Sequence, residues 1–83
     1  MVKSVFTQKY KAFREMLIQA REAAGLNQRD LSAKMSRPQS YVSKYERGER
    51  RLDFVEFLEV AEALGIDPVD FIEKLSNAKY PTD

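Results

Sequence analysis

Apolar residues at Tyr10, Phe13, Leu17, Ala20 and Ala24 recur at spacings of three and four, which lines one face of a helix. Gly25, able to take the left-handed conformation after a last turn, stops it. Asn27 is an N-cap for a second helix with Leu31 and Met35 on its apolar side. Ser36-Arg37 reads as a tight turn. Pro38 then fits the first turn of a third helix, where its missing N–H is no loss. That helix turns Val42 and Tyr45 inward, carries Gln39, Ser40, Ser43 and Lys44 elsewhere, and ends at Gly48. Asp53 with Glu56 has the form of a capping box for a fourth helix, whose stripe is Phe57, Val60, Ala61 and Leu64 before Gly65. Asp67-Pro68 opens a fifth, with Phe71, Ile72 and Leu75 as its apolar side. The pattern predicts an all-α bundle of five short helices.

A chain of 83 residues has room for one domain: a lead-in arm over 1–7, a helical core over 8–75 and a fraying tail over 76–83. It contains neither Cys nor His, which excludes disulfides, thiolate or imidazole metal sites, Cys nucleophiles and His-based triads. No cofactor and no metal are expected. No apolar run is long enough for a membrane span or a signal peptide, so a cytoplasmic location is expected. Glu56, Glu59 and Glu62 fall on the outward side of the fourth helix with no apolar cleft evident to raise a pKa; they read as a solvated face rather than as catalytic carboxylates.

Charge is unevenly distributed. The net +1 divides into +7 over residues 1–51 and −6 over residues 52–83. Either two differently used surfaces result, one suited to a polyanion, or the two segments interleave and their fields cancel.

Residues 28–47 bring the pattern and the charge together. Leu31, Met35, Val42 and Tyr45 bury one side of two short helices, and small Ser32 sits where they approach closely. The outer side of the second helix stays free. This is the geometry by which a helix enters the DNA major groove.

The chain from Phe13 to Leu75 resembles the phage-repressor and Cro-like helix-turn-helix family, the xenobiotic-response-element type. The resemblance rests on Gly25-Leu26-Asn27-Gln28 before Leu31, on Tyr41-Val42-Ser43 with Tyr45-Glu46-Arg47-Gly48, and on Val60-Ala61 with Ala63-Leu64-Gly65. It implies a five-helix lambda-repressor-like DNA-binding domain and a transcriptional regulator, not an enzyme. Gln28 falls where the family contacts phosphate, and Gln39 where it reads a base edge; glutamine suits adenine N6 and N7. Ser40, Ser43 and Lys44 take the other outward positions, with Lys44 reaching either guanine or a phosphate. Arg21 and Glu46 match a pair tying the first helix to the end of the recognition helix. That pair is either exposed or partly buried.

Arg37, Arg47 and at least one of Arg50 and Arg51 are expected at phosphates, against the alternative of a solvated basic face. Tyr41 is either core edge or a hydroxyl donor to phosphate. The implied partner is a double-stranded operator with two-fold symmetry, bound at half-sites about 34–36 Å apart by a homodimer acting as a repressor, with activation from an adjacent site as the alternative. A cytoplasmic, nucleoid-associated protein of bacterial or phage origin follows. Phe71, Ile72, Leu75 and Tyr80 are the expected dimer contacts; packing of Phe71 and Leu75 within the monomer would leave Ile72. Antitoxins, restriction controllers and mobile-element regulators share the fold. A protein-interaction module that has lost DNA binding is the alternative from another class.

Two positions depart from the family pattern. Ser36 stands where a glycine is usual, so a left-handed backbone there costs about 1–2 kcal/mol. Pro38 restricts Arg37 to extended conformations and affects the aim of Gln39.

Overall fold

A computed structural model describes residues 7–78. The arm over 1–6 and Tyr80 in the tail lie outside the described residues. The chain forms α1 (Gln8–Ala23), α2 (Gln28–Lys34), α3 (Tyr41–Glu46), α4 (Phe54–Leu64) and α5 (Pro68–Asn77). Thr7, expected in the arm, is instead the N-cap of α1, its hydroxyl accepting from Tyr10 N at 3.1 Å. Ser76, expected in the tail, is helical.

Local signals set most boundaries. Asn27 Oδ1 accepts from Asp30 N at 2.7 Å and so satisfies an orphan donor of α2. Asp53 and Glu56 form the reciprocal capping box of α4, at 2.7 Å and 3.0 Å. Asp67 caps α5 ahead of Pro68.

The expected start of α3 needs correction. Pro38 is not in its first turn; Pro38 to Tyr41 make a separate turn, Tyr41 N donating to Pro38 O at 2.9 Å, and helix begins at Tyr41. Ala24, expected on the buried face of α1, is its exposed C-cap.

Leu17, Leu31, Val42, Tyr45, Phe57, Val60, Leu64 and Phe71 form the centre of the core. Phe13 sits between Phe57 and Phe71, with ring centroids 5.6 and 5.8 Å away, and Phe57 and Phe71 are 5.1 Å apart. This triangle joins α1, α4 and α5, each ring pair adding about 0.5–1.5 kcal/mol beyond its buried area. Phe71, expected at a subunit contact, is thus a monomer core residue, 6% exposed. Leu75 is half-buried against the same core.

Among the described residues Ser36 is the only non-glycine with positive φ, at 55°. The turn between α2 and α3 therefore keeps its left-handed geometry without a glycine. Ser36→Gly relieves about 1–2 kcal/mol of strain, offset by about 0.4–1 kcal/mol of extra unfolded-state entropy. A net gain of about 0.5–1 kcal/mol is expected, raising the thermal midpoint by a few degrees. An unchanged or lower midpoint contradicts the strain.

Candidate nucleic-acid interface

Six residues are too few for a helix to persist by itself, so α3 depends on what holds it. Val42 and Tyr45 fix its inner side in the core. At its start, fully buried Ser32 on α2 accepts from Val42 N at 3.2 Å, which satisfies a donor with no partner inside the helix. The Ser32 carbonyl also accepts from Arg37 N at 2.9 Å, closing the turn.

At its end, Glu46 turns inward. Arg21 Nε and Nη2 donate to its two carboxylate oxygens at 2.8 and 3.2 Å, and Gln28 Nε2 donates at 2.7 Å. The side chains of Arg21 and Glu46 are only 12% and 3% exposed, so the pair is buried rather than solvated. Hydrogen bonding to Glu46 raises the Arg21 pKa above the ordinary guanidinium value, against the opposing effect of burial. Arg14 Nη1 donates to the Glu46 carbonyl at 3.0 Å and packs under Gly48, where a Cβ would meet the guanidinium carbon at 3.2 Å. Two arginines seven residues apart on α1 thus grip the C-terminal end of α3.

The opposite flank of α3 is open. Gln39, Ser40 and Lys44 are exposed, and Ser43 is half-buried with its hydroxyl donating to Ser40 O at 3.1 Å. Asn27, Gln28, Arg29, Gln39, Ser40 and Ser43 line a cleft of about 620 Å³ between the starts of α2 and α3. With its amide oxygen turned to the guanidinium, Gln39 accepts from Arg29 Nη2 at 2.8 Å and Nε at 3.0 Å. Gln28, expected at phosphate, gives one amide N–H to Glu46 and so helps to position α3.

The flanking cations are not all free. Arg37 donates to Glu59 at 2.6 Å, Arg50 to Glu56 at 2.8 and 3.1 Å, and Arg47 to Glu49 at 2.8 and 3.1 Å. Glu56 and Glu59, expected as a merely solvated face, are therefore paired with basic residues from the α3 side. Hydrogen bonds from Arg50, then from Asp53 N, hold Glu56 below the usual carboxylate range. Arg37 and Arg50 both stand over the Tyr41 ring, at 4.9 and 5.1 Å from its centroid.

Tyr41, expected either at the core edge or as a phosphate donor, is buried, its hydroxyl enclosed and without a hydrogen-bond partner among the described residues. Burial, then Glu56, push its pKa up against Arg37 and Arg50. Arg51 lies over the Tyr10 ring at 5.2 Å and borders a different, apolar cleft with Ile72 and Leu75.

Arg14 and Arg29 escaped the sequence reading. Arg29 did leave a signal: a cation in the first turn of α2 opposes the helix dipole, so something else keeps it there. Arg14 shares with Arg21 a seven-residue spacing that places both on one side of α1.

Removing Arg21 strands a buried carboxylate with one amide partner. Arg21→Ala is expected to lower unfolding free energy by about 3–5 kcal/mol in urea denaturation. A loss below about 1 kcal/mol, the level of an exposed pair, contradicts this placement.

Known proteins resemble this chain in sequence and fold. The profile of the helix-turn-helix family matches residues 17–71, which include all of α2, α3 and α4. Over 62 residues the chain is 31% identical to an uncharacterised HTH-type transcriptional regulator of Sinorhizobium fredii, covering 75% of this chain and 80% of the relative. An XRE-family like protein from Pseudomonas syringae superposes with a TM-score of 0.79 at 45% identity, covering 83% of this chain and 86% of that one. A mutant of the restriction-modification controller protein C.Esp1396I superposes with a TM-score of 0.73 at 24% identity, over 92% and 91% of the two chains, a likeness of fold. The chain belongs to the XRE/Cro-type helix-turn-helix family of transcriptional regulators.

Proposed function

We propose that this regulator is a sequence-specific double-stranded DNA-binding repressor acting as a homodimer. The observation that supports it best is the outward flank of α3 with its preceding turn. Gln39, Ser40, Ser43 and Lys44 present polar groups and no carboxylate, on a helix whose other side is locked by Ser32 and Glu46. In this reading the flank lies in the major groove and these residues meet base edges. Arg47 grips phosphate: its pair with Glu49 joins two side chains more than half exposed, so solvent screens the pair and phosphate can replace it. Gln28 offers phosphate its remaining amide N–H. Arg37 and Arg50 would meet phosphate with charge already shared with Glu59 and Glu56. Arg51 and Tyr41 have no place in this grip.

One module reads few base pairs, at about 1–3 kcal/mol for each mismatch, so selectivity calls for two copies on two half-sites. The dimer contact is assigned to apolar residues that the monomer leaves uncovered. Phe54 is 65% and Ile72 42% exposed, and both border an apolar cleft of about 370 Å³. Leu58 lies one helical turn after Phe54 and is exposed as well. The expected interface thus keeps Ile72, gains Phe54 and Leu58, and loses Phe71 to the core.

Affinity for an enriched duplex, measured against salt, tests the binding. A log–log slope of about −0.9 per neutralised phosphate is expected, and Arg47→Ala should flatten it by about one phosphate while weakening all sequences alike. Weak binding that ignores salt favours a protein-interaction module instead. Light scattering tests the assembly: a dimer at high micromolar concentration that becomes a monomer when Phe54 and Ile72 are both changed to Ser. Monomer alone, with or without DNA, removes the dimer.

A further inference from the structure

We propose that Arg29 reads a base, selecting guanine through its O6 and N7, and that Gln39 is the residue that positions it. The inference rests on the DNA-binding reading above and assigns a specificity to that surface.

Adenine recognition by glutamine needs the amide oxygen to accept from N6 while the amide nitrogen donates to N7. In the amide orientation that satisfies both partners, the Gln39 oxygen accepts from Arg29 Nη2 at 2.8 Å and Nε at 3.0 Å. An amide oxygen has two lone pairs, and both are engaged by a charged donor, which makes the stronger kind of hydrogen bond. What remains on Gln39 is its NH2 group, a donor. The acceptor that adenine requires is gone.

Arg29 is left with the other half of its fork. Nε and one N–H of Nη2 face Gln39, so both N–H groups of Nη1 and the second N–H of Nη2 stay available at the tip. One N–H of Nη1 with the free N–H of Nη2 makes a planar pair of donors that matches the two acceptors of a guanine edge. No carboxylate pairs with Arg29 among the described residues, in contrast with Arg37, Arg47 and Arg50. Its side chain is exposed and borders the same cleft as Ser40 and Ser43 on the flank of α3. Two anchored side chains thus present donors only, and the base that offers two acceptors in the major groove is guanine.

Selection from a random duplex pool, run on the wild type, Arg29→Ala and Gln39→Glu, tests this. Wild type is expected to enrich guanine at one position of each half-site, with any other base there weakening binding about 5- to 150-fold. Arg29→Ala should erase that preference and leave the remaining positions intact, with an unchanged melting curve. Gln39→Glu should keep it, because a carboxylate still holds the guanidinium. Replacing the guanine by 7-deazaguanine should weaken wild type and leave Arg29→Ala unaffected.

Adenine enriched at the position that Gln39→Glu alters, or a motif unchanged in Arg29→Ala, overturns the proposal. Equal weakening of every duplex by Arg29→Ala makes Arg29 a phosphate contact and overturns it too. A wild type that enriches no motif defeats the DNA-binding reading itself, an outcome distinct from these.

Discussion

The carboxylate of Glu46 is the group on which the arrangement turns. It ends a helix of six residues, where a negative charge opposes the helix dipole, and its side chain is 3% exposed. Both disadvantages are offset by the same neighbours. Arg21 and Gln28 hold the carboxylate, and Arg14 holds the backbone carbonyl of the same residue. A charge that cannot be left alone thereby fixes the distance and rotation of α3 against α1 and α2. Ser32 does the corresponding work at the other end through a single hydroxyl.

The same economy governs the surface charge. The basic and acidic stretches of the chain meet where Arg37 and Arg50 reach Glu59 and Glu56 around the Tyr41 ring. These contacts brace α3 against α4. Lys44 and Arg29, which carry no carboxylate partner among the described residues, keep the positive character on the flank of α3.

What could be read in advance follows from the range of each interaction. Caps at Asn27, Asp53 and Asp67 act over two or three residues, so their sequence signals carry the structure directly. The apolar stripe of α4 was equally plain, because periodicity encodes which side is buried. The start of α3 was not: Pro38 is compatible with a first helical turn and with a separate turn, and the contact of Ser32 with Val42 decides between them. Pairs between residues distant in sequence, such as Arg37 with Glu59 and Arg14 with the Glu46 carbonyl, have no local signature. Nor does Phe71 differ from Ile72 until α1 and α4 are in place, when one closes the ring cluster and the other faces out. The match of Arg21 to Glu46 was legible only through family resemblance.

The most direct examination of the exposed flank is an amide spectrum of the isotope-labelled protein, recorded while an enriched duplex is added to saturation. The largest changes are expected at Arg29 and across residues 39–44, with Glu46 and Arg21 holding their positions as the anchor stays shut. Changes confined to α4 and α5, or a spectrum that does not respond at saturating duplex, would contradict this.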